Sequence, residues 1–226
     1  MGITDTFLSK DTRNKLLSSP WRSEDTYVTA GAYMACTLGS HEEVLNKQEP
    51  NGIFINGSPM LTVDDCVPST STSGTIRGVI PFQQMGQEVD GNFYSFGFCR
   101  SERHPMKLAE SIAGRDSSYV FDTDSTEPTF GQEIYPCAPQ IMPTVSAPSP
   151  IQAAAQPSAL PALPTLSSLL DAWNVAKPQW TNGSPTVSIQ GVPALTSKSC
   201  LFCTCGGQIR LLTNGMDPAP PEFSAR

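Results

Sequence analysis

Charge and histidine are both scarce in this chain. Only 15% of its 226 residues are Asp, Glu, Lys or Arg, and there are two histidines. Long exposed helices draw heavily on Glu, Lys and Arg, so the shortage excludes a protein built mainly from them. Acidic residues outnumber basic ones by 21 to 14, for a formal charge of −7. A phosphate-backbone partner needs clustered Lys and Arg, so nucleic acid is not an expected partner. No apolar run approaches the roughly 18 residues of a membrane-spanning helix, and no stable membrane insertion is expected. The opening residues, MGITDTFLSKD, carry neither a basic nor an apolar signal region, so no signal peptide is expected. They fit the Met-Gly-x-x-x-Ser/Thr myristoylation pattern, which is too short to carry an anchor by itself.

What the chain has in quantity is punctuation: 17 glycines and 21 prolines. Set between short apolar runs, they point to a turn-rich, mainly β protein. Residues 4–18 read as a short amphipathic helix ended by Pro20, and residues 1–25 as an N-terminal helical extension. Residues 26–40 have strand composition, with Gly39 as a breaker. The segment GIFINGSPMLTVDDC (52–66) reads as a hairpin turning at Asn56-Gly57, and the Asn182-Gly183 sequon likewise reads as a turn. Residues 67–95 form a long connection. Pro105 suits the first position of a helix and Gly114 its stop, so a helix is expected over 105–113. Residues 140–178 are a Pro/Ala-rich insertion that reads as extended, with a short helix over 165–173.

The chain says one phrase twice. INGSPMLTVDDC (55–66) is answered by IQGVPALTSKSC (189–200), with Ile, Gly, Pro, Leu, Thr and Cys in matching places. Two like units at the ends imply a core of like parts, with the middle looping out.

These phrases resemble those of PAAR-type spike-tip proteins, in their Cys-rich PAAR-like branch. GAYMACTLGS, FGFCRSERHP, PCAP, WTNGSPTV, PALT and CTCGGQI follow the order of that branch. The resemblance covers 28–40, 53–66, 96–105, 136–139 and 180–209. The chain departs from the pattern in its expanded 67–95 and 140–178 segments. It also lacks the Arg of the name motif after Pro59-Met60-Leu61 and Pro193-Ala194-Leu195.

The resemblance implies a small cone of short strands over residues 26–226. Such a cone caps the trimeric spike of a phage-tail-like, type VI secretion-like contractile injection system, one copy per trimer, and sharpens it for puncture of a target envelope. The expected location is the bacterial cytoplasm during assembly, then the particle tip on firing. Related tips also carry cargo or toxin domains, so a cargo or effector carrier is the alternative reading. An unrelated zinc-binding adapter is a third. Ile53, Ile55, Val187 and Ile189 are expected to line the narrow core.

A narrow tip has little interior, and a metal staple is one way to hold converging loops. The cysteines in the family pattern are Cys36, Cys99, Cys137 and Cys203, expected to bind Zn. Related tips use mostly His with a Cys, and His41 and His104 are too few for an all-His site. Disulfides among these residues, or inert buried thiols, remain open. Cys205 could replace Cys203; the family register favours Cys203. Cys66 and Cys200 sit at matching places in the two repeats and read as structural thiols. Asp64-Asp65 reads as a solvated turn, since neighbours on a strand face opposite ways. A Cys/His nucleophile built on His41 or His104 lacks a supporting motif, and no phosphate loop is present. No enzyme is expected.

Overall fold

A computed structural model describes residues 8–18, 25–69, 90–114, 117–143 and 177–217. In chain order these carry α1 (Lys10–Leu17), β1 (Ala32–Cys36), β2 (Glu42–Leu45), β3 (Phe54–Ile55), β4 (Ser58–Pro59), β5 (Phe98–Cys99), α2 (Pro105–Ala113), β6 (Val120–Phe121) and β7 (Glu133–Pro136). After the insertion come β8 (Ser188–Ile189), β9 (Val192–Pro193), β10 (Cys200–Phe202) and β11 (Gln208–Leu211). The protein is mainly β, as its turn-rich composition predicts, and its short strands form several small antiparallel sheets. The largest runs β10-β11-β1-β2; a second runs β5-β7-β6; β3-β4 and β8-β9 are two-stranded hairpins.

The two hairpins are the visible halves of the sequence repeat. Asn56 and Gly57 turn the first with φ of 51° and 83°, and Gln190 and Gly191 turn the second with 52° and 84°. Two successive positive φ values are what a tight hairpin turn needs, and Asn-Gly supplies them at least cost.

The repeat occurs a third time. Val28 donates its amide to the Leu195 carbonyl at 3.2 Å, Leu195 to Leu61 at 2.9 Å, and Leu61 back to Val28 at 3.0 Å. Around this ring lies a second set: Ala30 to Pro59 at 2.9 Å, Val63 to Pro193 at 3.0 Å, and Ser197 to Thr26 at 2.9 Å. Three antiparallel bridges, Thr29 with Met60, Thr62 with Ala194 and Tyr27 with Thr196, close the triangle. Tyr27-Val28-Thr29 is therefore the structural mate of Met60-Leu61-Thr62 and Ala194-Leu195-Thr196. Each threonine is followed by the same turn, its carbonyl accepting from Ala32, Asp65 or Ser199. Val28, Leu61 and Leu195 are each fully buried. They continue into the main core of Met34, Leu45, Phe93, Phe96, Trp180, Leu201, Ile209 and Leu211.

The flanking pieces dock on this frame. Ser9 caps α1, its side chain accepting from the Thr12 amide at 3.1 Å. Leu8, with Leu16 and Leu17, packs on Ala35 and Leu212. Helix α2 begins and ends where Pro105 and Gly114 predict, and His104 caps it by accepting from the Met106 amide. Ile189 is buried with Met60 and Ala194, and Ile55 and Val187 pack against them. Ile53 does not join them; it is 47% exposed. Strand β3 starts only at Phe54, so strand alternation does not carry Ile53 inward with Ile55. The helix expected over 165–173, and most of the 67–95 and 140–178 segments, lie outside the described residues. Among the described residues no helix is long and apolar enough to cross a membrane.

Leu195→Ala opens a cavity at the axis of the ring, where three backbones hold the neighbours and little can collapse. The expected cost is about 3–5 kcal/mol in chemical denaturation. A loss below about 1 kcal/mol would show that the ring is not the centre of stability.

Candidate metal centre

The cysteines reach one place from four directions. Cys36 ends β1, Cys99 ends β5, Cys137 follows β7 and Cys203 follows β10. Backbone contacts draw these ends together: Gly39 bridges Cys99, and Ile141 bridges Cys203. The Cys137 amide donates to Gly97, and Arg100 to Leu38. All four sequence-predicted residues, with Cys205, line a single cavity of about 10 Å³, closed otherwise by Leu38, Phe96, Pro139, Gly207 and Ile209. That volume admits one water-sized body. No disulfide joins any cysteine of the chain.

Two of the four cysteines stand in matching turns. Cys36-Thr37-Leu38-Gly39 and Cys203-Thr204-Cys205-Gly206 lie equally far beyond their ring threonines, Thr29 and Thr196. In each turn the glycine amide donates to the cysteine carbonyl, Gly39 to Cys36 and Gly206 to Cys203. In each, the next residue but one also directs its amide at the cysteine sulfur, Leu38 and Gly39 toward Cys36 and Cys205 toward Cys203. The Gln140 amide adds a second donor at Cys203, and the Phe96 amide points at Cys137. Backbone N–H groups aimed at sulfur favour the thiolate.

Burial works the other way. It raises the Cys36 and Cys137 thiols above the ordinary thiol range, and neighbouring cysteines raise them further. Cys203 is raised first by the hydrogen bond its thiol gives to Cys205 and then by burial. Cys205 is also raised: accepting from Cys203 lowers it, but the bond it gives to Cys99, together with burial, outweighs this. At Cys36, Cys137 and Cys203 burial thus opposes ionisation while backbone donors favour it, a balance that a divalent cation would invert.

A charged strut fixes the cavity wall. Arg100, next to Cys99, is buried and pairs with Asp122 through Nε to Oδ2 at 2.6 Å and Nη2 to Oδ1 at 3.2 Å. Its Nη1 donates to the Gly39 carbonyl at 3.2 Å, which pins the Cys36 turn. Ser101 Oγ donates to the Cys205 carbonyl. No sequence pattern singled out Arg100 or Asp122; an arginine directly after a family cysteine is the signal that could have done so.

The other candidates lie elsewhere. The Cys66 thiol donates to the Pro178 carbonyl at 3.0 Å, and burial pushes it up to about 12. Cys200 meets Thr181 Oγ1 at 3.1 Å. His41 Nδ1 lies 2.6 Å from Ser40 Oγ. His104 is buried against Tyr135, with its rings stacked at 5.6 Å, and burial lowers its pKa. Asp64 is exposed, but Asp65 is not the solvated residue its sequence implies. It is buried, caps the Thr62 amide at 2.7 Å and pairs with Lys47 at 2.7 Å.

In donor type, cavity size and backbone donors the four thiols suit a small thiophilic ion such as Zn²⁺. Among the described residues, however, no group of three or more His, Cys, Asp or Glu side chains is arranged so that it could hold a metal ion as it stands.

Two outcomes follow from this wall. A Cβ on Gly207 would lie 2.6 Å from Cys36 Sγ. Gly207→Ala should therefore cost about 1–3 kcal/mol, as overpacking does, and speed alkylation of Cys36; unchanged alkylation would place that sulfur elsewhere. Thiols raised in the folded state contribute stability that is complete below the unfolded thiol value, about 8.5, and is lost as pH rises through the folded values. With chelator present, the denaturation midpoint should hold below about pH 8.5 and fall steadily as pH rises above it. A flat profile would mean the thiols ionise freely in the fold.

No curated protein and no solved structure matches this sequence. A family model described as Domain of unknown function (DUF4280) matches residues 28–215. That span takes in the ring, both hairpins and every cavity cysteine, and the chain belongs to that family.

Proposed function

We propose that this protein is a structural cap for the end of a trimeric spike in a phage-tail-like contractile injection system, where it sharpens the spike for puncture of an envelope. The observation that carries this reading is the ring of Val28, Leu61 and Leu195 with its three matching turns. A single chain with three like corners around an axis presents like surfaces to each subunit of a homotrimer. One copy per trimer is the stoichiometry that such a match favours. The resemblance of the cysteine-bearing phrases to PAAR-like tips supplies the kind of machine.

In this reading the cavity cysteines staple the ends of β1, β5, β7 and β10. Cys36, Cys99, Cys137 and Cys203 would hold Zn²⁺, which supplies no reaction here; its binding free energy becomes folding stability. The amides of Leu38, Gly39, Gln140 and Phe96 stabilise the thiolates, and Arg100 holds the Cys36 turn in place. The chain's position on the spike would be intracellular during assembly and at the leading end on firing.

The test is to purify the tagged full chain from its native host and weigh what accompanies it by native mass spectrometry. One copy with three copies of a larger partner is the expected result. A lone chain, or a symmetric assembly of this chain alone, would overturn the reading and favour the adapter alternative.

A further inference from the structure

The sequence holds four Asn-Gly pairs, at 51–52, 56–57, 182–183 and 214–215. In this dipeptide the asparagine side chain is open to attack by its own main chain, because glycine places no Cβ beside the amide that follows. The four pairs are alike in sequence and unlike in what the fold does to them.

Three are held. Asn51 Nδ2 donates to the Met60 carbonyl at 2.8 Å, and its Oδ1 accepts from the Ile53 amide at 3.1 Å. Asn214 Nδ2 donates to Asp217 Oδ2 at 2.9 Å, and its Oδ1 accepts from the amides of Met216 and Asp217 at 2.9 and 3.0 Å. Asn182 Nδ2 donates to the Lys198 carbonyl at 3.3 Å. The Asn182 carbonyl, which belongs to the peptide that would have to attack, accepts from Thr196 Oγ1 at 3.0 Å and Ser199 Oγ at 3.2 Å. Packing tightens two of the three. A Cβ on Gly183 would lie 2.4 Å from Val63 Cγ1, and one on Gly215 would lie 2.5 Å from the Thr29 carbonyl.

Asn56 has no such hold. It is exposed at the tip of the β3-β4 hairpin, and the space beside Gly57 is open. Among the described residues its side chain makes no hydrogen bond. Each strand of the hairpin has two residues, so the tip can open locally while the ring stays closed.

We propose that Asn56 is a site of spontaneous covalent modification, the Asn-Gly pair that the fold leaves free to deamidate. The Gly57 amide nitrogen loses its proton and attacks the Asn56 side-chain carbonyl carbon. A carbon–nitrogen bond forms there, the bond to Nδ2 breaks, and ammonia leaves with the returned proton. Water then opens the cyclic imide on one side to aspartate and on the other to isoaspartate, with no oxidant or reductant. Either product adds a negative charge to the first hairpin. Isoaspartate also lengthens the main chain, which a two-residue turn cannot absorb without shifting the Ile55–Ser58 pair. Ile55 would then lose its packing against Met60 and Ile189. The matching turn escapes, because Gln190 stands in the place of Asn56 and glutamine must close a larger, slower ring.

The experiment holds the full-length chain in mildly alkaline buffer and follows each Asn-Gly peptide by mass spectrometry, with and without urea. In the folded chain Asn56 should convert roughly tenfold or more faster than the other three, the factor that one or two lost hydrogen bonds imply. In urea the four should react at comparable rates. Asn56→Gln, which copies the matching turn, should remove the fast phase. Conversion of Asn51, Asn182 or Asn214 as fast as Asn56 in the folded chain overturns the proposal. So does an equal preference for Asn56 in urea, which would trace the difference to sequence and not to the fold.

Discussion

Three main-chain hydrogen bonds, each passing from one arm of a triangle to the next, hold the rest of this molecule in register. The arms come from the beginning, the first third and the end of the described chain, and each contributes only a few residues: Tyr27–Thr29, Met60–Thr62 and Ala194–Thr196. Strands this short cannot satisfy one another in an open sheet, whose edges would leave amides and carbonyls bare. Closing the ring pairs them and places Val28, Leu61 and Leu195 side by side at its centre. The fixed turn after each threonine then launches β1, the Cys66 segment and β10 outward from the frame. The positions of Cys36 and Cys203 follow from that launch.

At the far end of β1 and β10 the balance of forces differs. The ring is stable because its polar groups are paired and its side chains are dry. The cysteine cavity is buried as well, but its backbone donors point at sulfur atoms whose ionisation burial opposes. Arg100, locked to Asp122 and to the Gly39 carbonyl, keeps the wall from collapsing to a better-packed arrangement. A buried ion pair seldom improves on a good apolar core, and here it preserves a particular geometry.

Much of this was legible in the sequence because local chemistry specified it. Pro105 and Gly114 bound α2 to the residue, Asn56-Gly57 marked a hairpin, and the shared Gly-x-Pro corners exposed two of the three repeats. The third was hidden because Thr26 stands where Pro59 and Pro193 stand, and Tyr27-Val28 replaces the Leu-bearing phrase. Backbone hydrogen bonds make the three equivalent, and they leave no signature in residue identity. The meeting of Cys36, Cys99, Cys137 and Cys203 was anticipated only through resemblance, since their spacing alone places them nowhere. Burial of Asp65 escaped notice for a similar reason: its partner Lys47 and the Thr62 amide become neighbours only once the turn has formed.

The closed triangle also sets the order of events during synthesis. Leu195 both receives from Val28 and donates to Leu61, so the first two arms can pair with each other but cannot complete a ring until the last has left the ribosome. Until then the earlier apolar segments wait with their main-chain groups open to solvent and to one another. The entropy of bringing Val28 and Leu195 together grows only slowly with the length of chain between them, so expansions of the middle cost the finished fold little. They lengthen the delay before closure instead. Slow, non-local closure of this kind leaves a nascent chain exposed to mispairing, and the formal charge of −7 works against its association in that interval.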